Sequence, residues 1–470
     1  MYFSDKRGLA WRPIYVCLIF AAVLISAPAS SVIHLRMQTD LGGLDLELFD
    51  VAAPLTVQNF MNYVNRGAID GYDGTFIHRS VPGFVVQGGG YIFNPADGDF
   101  FGDGTTQIPT DQPVINEADP VNRPNVRGTI AMAKKADPDS ATSQWFFNLA
   151  DNPGLDDPGN SGGFTVFGHV IGNGMETMDE IAGKPRCVDY FFIDLGQCNG
   201  IISFSETPLL YMTMVDPFMP PYFANSVTPL NIVQIINVGT DADSDGIIDR
   251  VEDAGPNNGD ANNDGLPDSG QSSVASFESE SGDYLYLESP TGTRLESMEV
   301  MGQTYGLTTF SIQAPPLIFE GTNIAHGYIA FELKGIVPGG AATVMLTLPE
   351  GQQVAAYFMY GPTPDNVVPH WYRFDYDGET GAEVNGNEVS LHYVDGLRGD
   401  SDLEVNGVIV DPGTPALKSS NSAASGGGSS GCSIFNTSSS TPAQAGAWWL
   451  LLLLFSTLGI RLRVVRQEVP

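Results

Sequence analysis

Runs of alternating apolar and polar residues, each ended after a few positions by glycine, proline, asparagine or aspartate, recur along most of this chain. Val32-Ile-His-Leu-Arg-Met37 and Leu44-Asp-Leu-Glu-Leu-Phe49 flank a turn at 39–43, and Tyr284-Leu-Tyr-Leu-Glu288, Ala342-Thr-Val-Met-Leu-Thr-Leu348 and Glu388-Val-Ser-Leu-His-Tyr393 repeat the pattern far downstream. Period two sends every second side chain to one face, so these runs are half-buried strands and the chain is mainly β. Its 54 glycines and 32 prolines supply the turns between them. A length of 470 residues exceeds one ordinary core, and two or three folded units are expected.

One helix is expected early. Asp50 stands where it can cap it, Val57, Phe60, Met61 and Val64 recur at three and four residues, and Gly67 ends it. The formal charge is -34, from 21 Lys and Arg against 55 Asp and Glu. Nucleic acid is excluded as a partner on that ground, because such affinity needs cations that displace counterions. An acidic body suits a hard cation such as calcium instead.

The two ends read as addresses. Lys6, Arg7 and Arg12 precede the apolar run Ile14 to Ile25, and Ala27-Pro28-Ala29 supplies the small residues of a cleavage site, so residues 1–29 are expected to be an export signal processed after Ala29. The alternative is an uncleaved anchor, for which a run about 18 Å long as a helix falls short of a hydrocarbon core of roughly 30 Å. A Gly/Ser-rich linker, 416–446, carries Cys432-Ser433-Ile434 and leads to the apolar run Ala447 to Ile460 and a basic terminus in the last segment, 447–470. This end resembles the tripartite sorting tails of Gram-negative surface proteins, which implies processing or lipid attachment at Cys432, recognition by envelope sorting machinery and contact with the membrane. A plain C-terminal anchor is the alternative. Cys187 and Cys198 are then the one pair in the folded body, and an oxidising compartment permits their disulfide.

Three blocks carry the chemistry. They are Phe76-Ile-His-Arg79-Ser-Val-Pro-Gly-Phe84-Val-Val-Gln87-Gly-Gly-Gly90, then Gly128-Thr-Ile-Ala-Met-Ala133-Lys134 with Ser140-Ala-Thr-Ser-Gln144-Trp-Phe146-Phe, then Phe164-Thr-Val-Phe-Gly168-His-Val. In this order and spacing they resemble the cyclophilin-type peptidyl-prolyl isomerases, over residues 31–239. The resemblance implies an eight-stranded closed antiparallel barrel capped by two helices. It also implies binding of proline-containing polypeptides, with Phe84, Val85, Phe146 and Leu155 around the proline ring, Phe164 at the rim and Gln87 and Gln144 on the substrate backbone. The main chain at Ala133 and Lys134 would pair with the residue before proline.

Rotation about an X-Pro bond is opposed by amide resonance, a barrier of about 18–20 kcal/mol. A guanidinium aimed at the proline nitrogen meets a lone pair that exists only once the amide twists, which makes Arg79 the catalytic candidate. No cofactor is needed for this step, and His78 is expected to be structural because no proton moves. The chain departs from the family at Gly154 and Phe164, where many members have Trp and His, and at Lys134, where Asn is common. Gly154 implies weak inhibition by cyclosporin.

Residues 240–270 form an acidic linker. Asp241, Asp243, Asp245, Asp249 and Glu252 occupy positions 1, 3, 5, 9 and 12 of a calcium loop with Gly246 at position 6 and the Ile247 carbonyl at 7. Asp260, Asn262, Asp264, Leu266 and Asp268 repeat it, with Gln271 where the bidentate carboxylate would stand. Flanking helices are short or absent, so the pair resembles thrombospondin type 3 repeats rather than an EF-hand; a flexible linker that binds nothing is the alternative. Residues 271–415 read as a β-sandwich. Tyr360-Gly-Pro-Thr-Pro-Asp365, His370-Trp-Tyr372 and Gly407-Val-Ile-Val-Asp-Pro412 resemble the choice-of-anchor U domain that precedes sorting tails. The resulting expectation is a prolyl isomerase in the periplasm or at the cell surface, membrane-associated, acting on exported polypeptides. Its rival is a non-catalytic surface adhesion or scaffold protein that binds proline-containing segments.

Overall fold

The structure is a computed structural model of the chain, described for residues 32–94, 104–186, 206–208, 232–301 and 322–418. Ala29, Cys187, Cys198 and Cys432 lie outside the described residues, and with them the export signal, the disulfide and the sorting tail.

Strands β1 (Ile33–Thr39) and β2 (Gly42–Leu48) form the expected hairpin, in register from Ile33 opposite Leu48 to Thr39 opposite Gly42. Thr39 closes the turn, its Oγ1 donating to Gly42 O at 2.7 Å and accepting from Leu41 N at 3.1 Å. Gly43 permits a close approach, since a Cβ there would lie 2.0 Å from Arg36 Cζ.

Helix α1 (Pro54–Val64) starts later than Asp50 suggests, and this expectation is corrected: its N-cap is Ala53, which makes no side-chain cap. Glu117 does that work from a distant loop, accepting from Leu55 N at 3.2 Å and Thr56 N at 2.8 Å. A carboxylate at the positive end of the helix satisfies donors that the first turn leaves unpaired. Pro54 loses nothing at the first helical position, where no N–H is needed.

The remaining elements of this half are β3 (Arg79–Val81), β4 (Val85–Gly88), β5 (Tyr91–Phe93), β6 (Thr105–Gln107), β7 (Thr129–Met132), β8 (Trp145–Asn148), β9 (Val166–Ile171), α2 (Gly174–Gly183) and β10 (Ile235–Thr240). Eight of the strands make one curled antiparallel sheet in the order β10-β1-β2-β9-β7-β8-β4-β3, while β5 and β6 pair separately. Near the two edges, Ile77 N donates to Val233 O at 2.9 Å and Gly74 N to Ile235 O at 2.8 Å, which draws the ends of the sheet toward each other. The concave face is filled by Leu35, Leu46, Ile130, Trp145, Phe147 and Phe167, covered by Phe60 and Tyr63 of α1 and Met178 and Ile181 of α2.

Downstream come β11 (Val274–Glu278), β12 (Tyr284–Glu288), β13 (Arg294–Met301), β14 (Thr322–Asn323), β15 (Tyr328–Lys334), β16 (Ala341–Thr347), β17 (Val354–Thr363), β18 (Asn366–Arg373), β19 (Gly381–Asn385), β20 (Glu388–Val394) and β21 (Val408–Lys418). A five-stranded sheet, β11-β12-β16-β20-β19, and a second sheet, β13-β15-β21-β17-β18 with β14 on β21, contribute to one buried cluster around Phe277, Phe331, Leu346, Tyr357, Leu391 and Tyr393. This cluster is separate from that of the first half.

The halves meet at Arg36, which is 2 % exposed. Its Nη1 donates to both oxygens of Asp45 at 2.8 Å, its Nη2 donates to Met298 O at 3.1 Å, and Glu299 Oε1 stands 4.0 Å away. Trp371 packs against Tyr328 and Tyr360 with ring centroids 5.5 Å apart in each case, so aromatic packing rather than a free platform accounts for its position.

Candidate active site

Strand alternation separates two faces. Val86, Ile130, Met132, Trp145, Phe147 and Phe167 point into the main core, whereas their neighbours Val85, Ala131, Phe146 and Val166 form a second cluster on the opposite face. Phe84, Ala133, Leu155 and Phe164, all partly buried, pack on that second cluster. The registers Arg79↔Gln87, Gln87↔Phe146, Ala131↔Phe146 and Ala131↔Val166 set these residues in one row across β3, β4, β8, β7 and β9. A polar end, Arg79 and Gln87, thus meets an apolar notch on a single face.

The walls of the notch are loops held by side-chain amides. Asn125 donates through Nδ2 to Asp156 Oδ1 at 2.8 Å and to Phe164 O at 3.1 Å, and Asn152 Nδ2 donates to Phe84 O at 3.1 Å. Phe164 N donates to Leu155 O at 2.9 Å, which ties the rim to the single 3₁₀ turn Pro153–Leu155. Phe146 and Phe164 meet edge to face at 5.8 Å, and Lys134 Nζ lies 4.4 Å from the Phe164 ring centre. Burial lowers the proton affinity of that ammonium, with Asp139 and Asp137 opposing the shift. Asn125 and Asn152 escaped the sequence reading because asparagine between strands signals a turn, and nothing in spacing shows whom its amide will bind.

At the polar end, Gln87 Nε2 donates to Gln144 Oε1 at 2.8 Å, and Arg79 Nη1 is 3.5 Å from Gln87 Oε1. Arg79 Nε donates to Glu206 Oε2 at 2.7 Å, a partner that sequence gave no reason to expect. His78 is 4 % exposed, and burial drives its pKa down to about 4, against the opposing effect of a hydrogen bond with Gln144, which accords with a structural role. Ala133 N donates to Gln144 O at 2.9 Å, which leaves the Ala133 carbonyl and the Lys134 main chain as the groups at this edge for a substrate backbone. Gly154 is exposed, with no atom within 4 Å of where its Cβ would stand.

The acidic linker makes two loops of one design. Asp241 accepts from Ser244 N and Gly246 N, and Asp260 likewise accepts from Asp264 N and Gly265 N. Ser244 and Asn263 take φ of 65° and 59°, each followed two residues on by a glycine, Gly246 and Gly265, at 107° and 94°. In the first loop, oxygens of Asp241, Asp243 and Asp245 all lie within 4.8 Å of one another. Asp245 and Glu252 are fully buried, and Asp243 Oδ2, Asp245 Oδ2 and Glu252 Oε2 lack a hydrogen-bond partner among the described residues. Burial pushes Asp241 up to about 8, Asp243 to about 6 and Glu252 to about 11, with the neighbouring carboxylates adding to the rise. Such a set of hard oxygens suits a divalent cation.

Asp249 is not brought into that group. Its oxygens accept from Thr240 Oγ1 and from Ala242 N. Ile247 sends its side chain into the downstream core. In the second loop Asn262 and Asp264 are turned to backbone N–H groups, and Leu266 O already accepts from Gln271 Nε2 at 3.3 Å. Buried Asp268 has one unpartnered oxygen, Oδ1, among the described residues.

A family model described as cyclophilin type peptidyl-prolyl cis-trans isomerase/CLD matches residues 34–190. A peptidyl-prolyl cis-trans isomerase A of Dickeya dadantii is 45 % identical over 178 residues, 38 % of this chain and 85 % of that protein. A peptidyl-prolyl cis-trans isomerase of Acinetobacter baylyi is 39 % identical over 170 residues, 36 % of this chain and 82 % of its own length. Peptidyl-prolyl cis-trans isomerase B of Escherichia coli is 40 % identical over 148 residues, 31 % and 81 % respectively.

Proposed function

The chain belongs to the cyclophilin-type peptidyl-prolyl cis-trans isomerases, and from that premise we propose that it accelerates X-Pro isomerisation in exported or cell-surface polypeptides. The row that joins Arg79 and Gln87 to the notch of Phe84, Val85, Phe146, Leu155 and Phe164 carries this reading. The notch takes the proline ring out of water, the Lys134 main chain and Gln144 hold the peptide on either side, and an Arg79 amino group donates to the proline nitrogen as it becomes pyramidal. Rotation makes and breaks no covalent bond, so these residues suffice without a prosthetic group. We read the curled sheet as a closed barrel.

Export and retention rest on the order of basic, apolar and small residues in 1–29 and on the Cys432 tail, which together suggest a Gram-negative periplasm or cell surface and a membrane-associated protein handled by sorting machinery. Calcium in the first loop, held by Asp241, Asp243, Asp245, Glu252 and the Ile247 carbonyl, would neutralise carboxylates that burial otherwise destabilises; the second loop, with Asp260, Asn262, Asp264, Leu266 and Asp268, would bind more weakly. Two sheets around one cluster support a β-sandwich for 271–415, the anchor-associated domain before the tail, with the calcium loops stiffening the spacer that precedes it.

The test is a chymotrypsin-coupled assay of the purified full chain on an X-Pro tetrapeptide. Arg79→Ala is expected to lower kcat/KM by roughly 100- to 1000-fold, the loss seen when one transition-state donor is removed. Equal rates in the two proteins would refute the role of Arg79. Absence of acceleration by the unmodified chain would leave a proline binder without turnover.

A further inference from the structure

Arg79 must be aimed. A guanidinium on a long side chain samples many rotamers, and a donor that acts only on the twisted amide helps in proportion to how well it is already placed. Gln87 is a weak guide, because its contact with Arg79 Nη1 is 3.5 Å long and its own amide is engaged with Gln144. The Phe84 ring stands 5.9 Å from Arg79 Cζ and sets no direction in the plane of the fork. The short, charge-assisted bond from Nε to Glu206 does.

The segment that delivers Glu206 is pinned on both sides of Arg79. Ser80 N donates to Glu206 O at 2.8 Å, and Thr207 Oγ1, fully buried, donates to His78 O at 2.8 Å. Arg186 bridges Pro208 and also donates to Ser80 O. Residues 206–208 therefore run along the outer edge of β3, beside the residues that flank the catalytic arginine. This segment lies beyond the residues 34–190 that match the family model.

We propose that Glu206 is a positioning residue for the isomerase reaction: it holds the Nε–H of Arg79 and so leaves the two amino groups of the guanidinium facing the notch. The proposal rests on the isomerase reading above. Both side chains are about a third exposed, 35 % and 36 %, so solvent screens the pair and the effect of losing it is modest.

The experiment compares unmodified full chain, Glu206→Gln, Arg79→Ala and the double variant in the coupled assay, with melting curves alongside. Glu206→Gln keeps the shape and removes the charge. It is expected to lower kcat about 3- to 5-fold with KM unchanged, because the contact it serves exists only in the transition state. In the Arg79→Ala background the same change is expected to do nothing further, since its route is gone. Glu206→Ala provides a second variant and should follow Glu206→Gln. Unchanged or faster turnover in Glu206→Gln, a rise in KM without loss of kcat, or an added loss on top of Arg79→Ala would overturn the proposal. If the unmodified chain has no activity, the isomerase reading fails first and the proposal falls with it. Loss in Arg79→Ala but not in either Glu206 variant sinks the proposal alone.

Discussion

Replacing Arg36 by methionine should separate stability from catalysis. The guanidinium is all but excluded from water; burial alone would lower its pKa, yet Asp45 and Glu299 hold it above the ordinary value. Asp45 has a side chain 31 % exposed and regains water when its partner goes, so its loss is small. Glu299 does not: its side chain is 3 % exposed, and losing the Arg36 charge 4.0 Å away takes a cation from a carboxylate that also accepts from Gly43 N at 3.2 Å. Leaving one member of a buried pair uncompensated typically costs about 3–5 kcal/mol. Urea unfolding of Arg36→Met, followed by tryptophan fluorescence, should show a loss of that size. Glu299→Gln added to Arg36→Met should restore most of it, because the pair is then removed as a unit. Isomerase turnover at low temperature should stay unchanged, since Arg36 is bonded to Asp45 and Met298 rather than to the residues of the notch. A loss under about 1 kcal/mol, or a double variant as unstable as Arg36→Met alone, would refute the account of this junction.

Chelation should lower the melting temperature of the full chain and added calcium should restore it. A free cation at a hundred times its dissociation constant contributes about 2.7 kcal/mol, and Glu252→Gln should blunt that response in a melting curve. Asp411, fully buried between Tyr357 and Tyr393, is pushed up to about 7 by burial against the pull of the two hydroxyls. A carboxyl raised in the folded state stabilises below its unfolded pKa of about 3.9 and loses that contribution as pH rises through the folded value. Melting temperature should therefore fall between about pH 4 and 7, and Asp411→Asn should flatten the slope without abolishing it, since burial also pushes Asp400 to about 7. Phe146→Ala should raise KM for X-Pro peptides roughly tenfold in the coupled assay, because it removes the apolar floor under the proline ring.

What sequence could show was set by how local each signal is. Alternation puts Val85 and Gln87 on one face of a strand, while the resemblance of the blocks is what joined them to Phe146 before any coordinates. The spacing of Asp241, Asp243 and Asp245 is likewise local, because a tight loop leaves few ways to fold it. Other features depend on residues brought in from far away. The first turn of α1 is capped by Glu117 and not by the adjacent Asp50, the pocket walls hang on Asn125 and Asn152, and Glu206 reaches Arg79 across 127 positions. Each of these distant partners is polar, and each satisfies a donor, an acceptor or a charge that local structure leaves unpaired. Apolar pattern determines the sheet and the notch. The Arg79 fork is held by a carboxylate from a segment with no pattern of its own, which is why the motif around Arg79 carries no sign of Glu206.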